Sequence, residues 1–300
     1  LYWREALSVH DGFVTFSSTD NATYILDANN GHEVLALPAT SFPSFLAIDG
    51  QIVYTMPSTF SASYTGQQTA SVSPTIQAFH LPDGQRLWSH SFSGETQIYA
   101  ETADTIYATE MLETKLTAIQ SNDGHKLWTY HASNGSSIRS FITANGFGYL
   151  LQADATLVCL RLNDGYPLWQ RQIKALKNGA AITATLTMQG DTLLLYDADS
   201  EMTSPLYALS SNDGHVLWQT AEPVPVPFFQ AGTLYTIENR GQVDAWRIAD
   251  GKHLWSFSAP AGTTIIQQIH SPSDLLFLLN LTNTLVVLRI TDGRMLWRYP

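Results

Sequence analysis

The sequence predicts an all-β fold, a single seven-bladed β-propeller of four-stranded antiparallel blades over residues 1–300. Three observations lead there. An Asp-Gly-x-x-Leu-Trp pattern runs over Asp83–Trp88, Asp123–Trp128, Asp164–Trp169, Asp213–Trp218, Asp250–Trp255 and Asp292–Trp297, with a degenerate copy at Asn30-Gly31-His32-Glu33-Val34-Leu35. The seven glycines are 53, 40, 41, 49, 37 and 42 residues apart. A period near forty with a strand–turn–strand in every repeat is that of a closed propeller. Third, the residue six before each glycine is small or apolar throughout: Ile25, Ala78, Ala118, Cys159, Ala208, Ala245 and Val287. The blades are expected at about 1–37, 38–92, 93–132, 133–173, 174–221, 222–258 and 259–300.

Blade three shows the grammar. Ile98-Tyr99-Ala100-Glu101 reads as a first strand, Ala103-Asp104 as a turn and Thr105-Ile106-Tyr107-Ala108 as a second strand. Leu116-Thr117-Ala118-Ile119 reads as the third strand and Lys126-Leu127-Trp128-Thr129 as the fourth. Asp-Gly between apolar runs marks a hairpin, because glycine accepts the positive φ that a tight turn demands. First-turn signals recur at Asp11-Gly12, Asp49-Gly50, Asn145-Gly146, Gly190-Asp191, Ala231-Gly232 and Ser273-Asp274. After the small column comes a larger one: Leu26, Phe79, Ile119, Leu160, Leu209, Trp246 and Leu288. Such alternation fits a strand with two differently packed faces. Leu1-Tyr2-Trp3-Arg4 resembles the closing Leu296-Trp297-Arg298-Tyr299, but Trp3 stands nine residues before Gly12, against 14 to 21 in other repeats. Trp3 is therefore assigned to the first strand of blade one.

Composition removes several function classes. The net charge of −11 disfavours nucleic acid, whose phosphates need a basic face, and an anionic membrane surface. The most apolar run, Leu275 to Leu288, is broken by Asn280, Thr282, Asn283 and Thr284 and fits two strands and a turn, so no membrane insertion is expected. No signal peptide is recognised. The abrupt opening at Leu1 suggests a piece of a longer protein. One cysteine, Cys159, forms no internal disulfide.

The pattern Ala-x-x-x-x-Asp-Gly-x-x-Leu-Trp resembles the tryptophan-docking repeat of PQQ-like propellers, over essentially the whole chain. The resemblance implies that Trp88, Trp128, Trp169, Trp218, Trp255 and Trp297 pack between neighbouring blades, and that the blade-one junction, with Leu35, is the weakest. It also implies an extracytoplasmic location, at the cell surface or in the periplasm of a bacterium. The family holds quinoprotein dehydrogenases, outer-membrane assembly lipoproteins and sensor domains. Its dehydrogenases are eight-bladed and use a vicinal disulfide, calcium and an aspartate. With a single cysteine and seven repeats, this chain is expected to be a non-enzymatic member that carries no cofactor. A degenerate quinone-binding domain, and an outer-membrane assembly scaffold, stand as alternatives.

The remaining chemistry is weighed residue by residue. Cys159 shares a column with four alanines and reads as a small buried thiol rather than a nucleophile. His32, His125 and His215 follow the motif glycine, a turn position also filled by Gln85, Tyr166, Lys252 and Arg294, so they read as exposed turn residues. Asp197, Asp199 and Glu201 alternate as calcium ligands do, but no glycine closes the loop, and a solvated acidic loop is favoured. Gly-rich phosphate loops and nucleophile elbows are missing from the sequence.

Function is expected on the face of the second-to-third-strand loops and blade crossings, because rigid scaffolds carry function on variable loops. There lie Met56 to Pro74, Asp197 to Pro205, Arg171 to Ala181 and Pro223 to Pro227. Tyr64, Arg139, Phe228, Arg240 and Gln267 are the candidates to line the channel mouth. A rim of Ser, Thr, Gln and Tyr suits a protein or glycan partner. The protein is expected to be monomeric.

Overall fold

The computed structural model describes residues 7–10, 12–17, 22–38, 43–49, 52–57, 75–81, 83–92, 96–102, 104–110, 114–173, 184–197, 205–224, 227–237, 242–258, 265–270, 274–280 and 284–299. Among these, seven four-stranded sheets form, each an antiparallel meander of consecutive strands. They span 7–38, 43–91, 96–131, 138–172, 184–223, 228–258 and 265–299. In the third sheet the strands are Thr96–Thr102, Thr105–Glu110, Lys115–Gln120 and Lys126–His131.

Each sheet is written around one cross-strand row. The small-column residue lies directly opposite the motif aromatic: Ala78 faces Trp88, Ala118 faces Trp128, Cys159 faces Trp169, Ala208 faces Trp218, Ala245 faces Trp255 and Val287 faces Trp297. In the first sheet Ile25 faces Leu35. All seven column residues are at most 2% exposed. A large indole needs a small neighbour on the same face, and a cross-strand pair is where the two meet. On the column's other side stands a second-strand residue, often aromatic. Tyr54, Tyr107, Tyr149 and Tyr235 reach their sheets' tryptophans at ring-centroid separations of 5.8 to 6.2 Å. Burial raises the hydroxyl pKa of Tyr107, Tyr149 and Tyr235 above its ordinary value, so these tyrosines stay neutral.

Immediately after the column residue the ladder slips by one in every sheet, for example between Ala118 and Ile119. The turn that follows is closed by backbone bonds from Gln120 N–H to His125 O (2.8 Å) and from Gly124 N–H to Gln120 O (2.9 Å). The Asp123 carboxylate accepts the His125 N–H at 2.9 Å, and Asp83, Asp213, Asp250 and Asp292 do the same for the residue two further on. This is why aspartate precedes the glycine: its side chain satisfies a donor that the turn leaves free. In the fifth sheet Ser210 Oγ also accepts the Asn212 N–H at 3.3 Å.

The chain divides into two compact units, Leu1–Ile138 with Asn163–Gly165, and Arg139–Leu162 with Tyr166–Pro300. Within the first, Tyr54, Met56, Ile76, Ala78, Trp88, Ile106 and Ile119 form one core cluster. Ile25, Val53 and Leu81, with Phe13, Leu35 and Phe79 against them, form another. Within the second, the largest cluster runs from Tyr149, Leu157 and Cys159 to Leu186, Leu193, Leu195 and Tyr207. Met56 and Pro57 belong to the strand Ile52–Pro57, so the long segment of the second sheet begins at residue 58 rather than at Met56. Asp197 likewise ends a strand and Pro205 begins one. No helix among the described residues is long and apolar enough to cross a membrane.

Candidate functional site

The motif glycines and aromatics form a directional series. A Cβ on Gly124 would stand 2.6 Å from Trp88 Cε3, so only glycine lets the indole lie flat on the turn. The same close approach pairs Trp128 with Gly165 inside the first unit. Inside the second unit it pairs Trp169 with Gly214, Trp218 with Gly251 and Trp255 with Gly293. Leu35 takes the place of the tryptophan over Gly84. Each indole N–H needs an acceptor when buried. Trp88 donates to Ser121 O at 2.8 Å, Trp218 to Ile248 O at 2.7 Å and Trp255 to Ile290 O at 3.0 Å. That carbonyl always belongs to the residue three before the receiving glycine, so one turn supplies both the flat seat and the acceptor.

Cys159 is 2% exposed, and burial pushes its thiol up to about 11, which leaves it protonated at neutral pH and a poor nucleophile. His32, His125 and His215 are exposed turn residues. His215 donates through Nδ1 to the Asp213 carboxylate at 2.6 Å. That bond, ahead of a second from Ser210, holds Asp213 down at about 2. Arg171 donates through Nε to the Asp213 backbone carbonyl at 2.9 Å and spans the same turn.

One polar cluster escaped the sequence reading. Asp244, 6% exposed on the strand Gln242–Arg247, sits where other repeats place Val158, Tyr207 or Val286. Its carboxylate accepts Gln242 Nε2 at 2.8 Å and Ser256 Oγ at 2.5 Å, and faces His253 Nε2 at 3.3 Å. His253 Nε2 also lies 2.9 Å from Ser256 Oγ. Aspartate, histidine and serine together suggest a hydrolytic triad, but the geometry differs. The serine donates to the aspartate, and a single imidazole nitrogen faces both partners, so no base stands ready to take the serine proton. Asp244 and Ser256 are direct cross-strand partners, and the cluster pins the register of that sheet. A carboxylate in an otherwise apolar or neutral column was the available sequence signal.

Of the rim candidates, Phe228 is a core residue, 6% exposed and stacked on Tyr235 at 4.7 Å. Arg139 is half-buried on the strand Ile138–Ala144. Gln267 lies on the strand Ile265–His270, and its side chain is outside the described set. Tyr64, Arg240, Asp199 and Glu201 lie outside the described residues, as does the Asp197 side chain. Among the described residues no group of three or more His, Cys, Asp or Glu side chains is placed to hold a metal ion.

The family model described as outer membrane protein assembly factor BamB matches residues 72–223 and 203–300. Two solved structures share the fold. One is the computationally designed Ika8 protein, with a TM-score of 0.64 and 15% identity, covering 98% of this chain and 85% of that one. The other is BamB from Moraxella catarrhalis, with a TM-score of 0.63 and 13% identity, covering 98% of this chain and 86% of that one. Among curated proteins no sequence match was found.

Proposed function

The chain belongs to the PQQ-like β-propeller repeat family whose model is described as outer membrane protein assembly factor BamB, and on that premise we propose that it is a non-catalytic, protein-recognising scaffold. Its seven sheets are read as successive blades of one propeller. The observation that carries the proposal is the use made of the repeated polar groups. The turn aspartates accept backbone N–H groups at their own turns, and the one carboxylate buried among the described residues, Asp244, locks a sheet instead of poising a base. The thiol is buried and protonated. What this leaves for function is loops on a rigid frame, the usual place for recognition.

The best-supported role is that of the extracytoplasmic recognition part of a larger bacterial protein, with the sequence segments 58–74 and 198–204, which lie outside the described residues, as the segments expected to carry recognition. The description of the matching family, an assembly factor, favours a protein partner over a small molecule.

The test compares the intact chain with a version in which residues 58–74 are replaced by a two-residue turn. Both are immobilised and exposed to an envelope extract, with melting curves to confirm folding. The proposal expects specific capture by the intact chain and its loss on shortening. Equal capture by both forms would contradict the assignment of the surface. Reconstitution with pyrroloquinoline quinone and calcium, followed by dye reduction with alcohols and sugars, addresses the enzymatic alternative. Quinone-dependent turnover would overturn the non-catalytic reading.

A further inference from the structure

The polar cluster on the sixth sheet brings three donor atoms of different chemistry to one point. They are Asp244 Oδ1, His253 Nε2 and Ser256 Oγ, all within the second compact unit. The imidazole nitrogen lies 3.3 Å from the carboxylate oxygen and 2.9 Å from the hydroxyl, and the two oxygens are 2.5 Å apart. A first-row divalent cation takes nitrogen and oxygen donors at about 2.1 Å. In octahedral coordination adjacent donors then stand about 3.0 Å apart, the metal–donor distance times the square root of two. The three observed separations bracket that value, so the trio has the size of one face of an octahedron.

The surroundings hold these donors in place. Gln242 Nε2 donates to the second carboxylate oxygen of Asp244 at 2.8 Å. The Trp246 ring meets the His253 ring edge-on at 4.8 Å. Partners of this kind orient metal ligands. Asp244 is buried, whereas His253 and Ser256 are exposed, so an ion has a way in from solvent. The trio also exceeds what register requires. Other sheets make the same slip with Thr117 and Lys126, Val158 and Pro167, or Tyr207 and Val216 at the positions of Asp244 and His253.

We propose that Asp244, His253 and Ser256 form a facial three-donor site for a first-row divalent cation of the cobalt-to-zinc type. One imidazole nitrogen and two oxygens suit such borderline ions better than Mg²⁺, which prefers oxygen alone. His253 keeps its proton on Nδ1 and presents the Nε2 lone pair, and the Ser256 hydroxyl turns its hydrogen away from Asp244. Water completes the coordination. The ion clips the strand Gln242–Arg247 to the strand His253–Ser258. Only two of the donors are His, Cys, Asp or Glu and the third is a hydroxyl, so binding is weaker than at a closed four-ligand site. The exposed Asp213–His215 pair is a poorer place for a cation, because the Arg171 guanidinium stands 3.9 Å from the Asp213 carboxylate.

The test titrates the metal-free 300-residue chain with zinc chloride by calorimetry and follows melting with and without the ion. One ion per chain and a rise in melting temperature are expected, since an ion that binds only the folded state stabilises it. His253→Phe, which keeps a ring against Trp246, should abolish both effects. Gln242→Ala should weaken binding about 10–100-fold, the range for a lost orienting partner. His80→Ala and His215→Ala, which break exposed histidine–aspartate pairs at other turns, should leave it unchanged. Circular dichroism checks that each variant is folded. A second readout needs no variant: zinc should protect His253 from diethylpyrocarbonate, mapped by peptide mass spectrometry, and leave His32 and His125 as reactive as before.

Three results would overturn the proposal. The same zinc affinity in His253→Phe as in the parent would place the ion elsewhere. Equal protection of His32, His125 and His253 would mean adventitious surface binding only. A rise in melting temperature as large with magnesium chloride as with zinc would show a carboxylate effect in which the imidazole takes no part.

Discussion

Trp88→Ala should be among the most damaging single substitutions in this protein. Trp88 is 8% exposed, lies on Gly124, touches Tyr54 and donates its indole N–H to Ser121 O. An aromatic of this size buries roughly 200 Å², which at about 25 cal/mol per Å² is on the order of 5 kcal/mol before any relaxation. Aromatic-to-alanine changes in cores cost about 3–5 kcal/mol, and this site cannot collapse freely because strand backbone frames it. The lost hydrogen bond is isolated by Trp88→Phe, with a net cost of about 1 kcal/mol. The exposed turn residue His125 is the control, and His125→Ala should stay within roughly 0.5 kcal/mol of the parent. For domains of 150–250 residues about 2–4 °C accompanies each kcal/mol, so Trp88→Ala should lower the melting temperature by roughly 10 °C. Calorimetry or chemical denaturation of the three variants reads these values. Comparable melting temperatures for Trp88→Ala and His125→Ala would refute the docking argument.

Three further outcomes are expected. Cys159→Ala should fold normally, since four sheets already use alanine opposite the tryptophan. The native thiol, held at about 11 by burial, should be alkylated far more slowly at pH 8 than after denaturation, and fast labelling of native protein would contradict this. The Asp213 carboxyl should titrate near 2 by carbon NMR and move up towards 3.8 in His215→Ala. Because its folded pKa is depressed, whatever stability it contributes is present above 3.8 and is lost as pH falls through about 2; an unmoved titration in the variant would show that His215 is not the cause. Asp244→Asn should destabilise its sheet more than Asp123→Asn destabilises its turn. The first residue is buried with three side-chain neighbours, whereas the second is exposed, and equal melting temperatures would argue against a role for the cluster in setting register.

Much of this structure was legible from the sequence because each repeat solves one local problem. A tight turn needs glycine at positive φ and an aspartate to accept a free N–H, and both leave marks at fixed offsets. The small column was equally visible, since a tryptophan directly across the ladder tolerates only Ala, Cys or Val beside it. Features that depend on register were not visible. Asp244, His253 and Ser256 meet only because a one-residue slip after Ala245 sets which residues face each other. Phe228 follows a proline-rich crossing and so resembles a loop residue, yet it starts a strand and stacks on Tyr235. Trp297 carries the same motif as the other docking residues, yet it is 46% exposed, which the motif alone does not encode.

The most direct test of the account is a double-mutant cycle between Trp88 and Gly124. Gly124→Ala in the parent suffers both the backbone strain of φ +71° and a contact of 2.6 Å with the indole, whereas in Trp88→Ala it suffers only the strain. The control Gly146→Ala, at φ +81° with no atom within 4 Å, measures the strain alone, about 1 kcal/mol. The account predicts that the double mutant is more stable than the sum of the single costs by roughly 1–3 kcal/mol, the range for residues in contact. Additivity within about 0.5 kcal/mol, the behaviour of independent sites, would contradict the claim that these motifs exist to dock one sheet on the next.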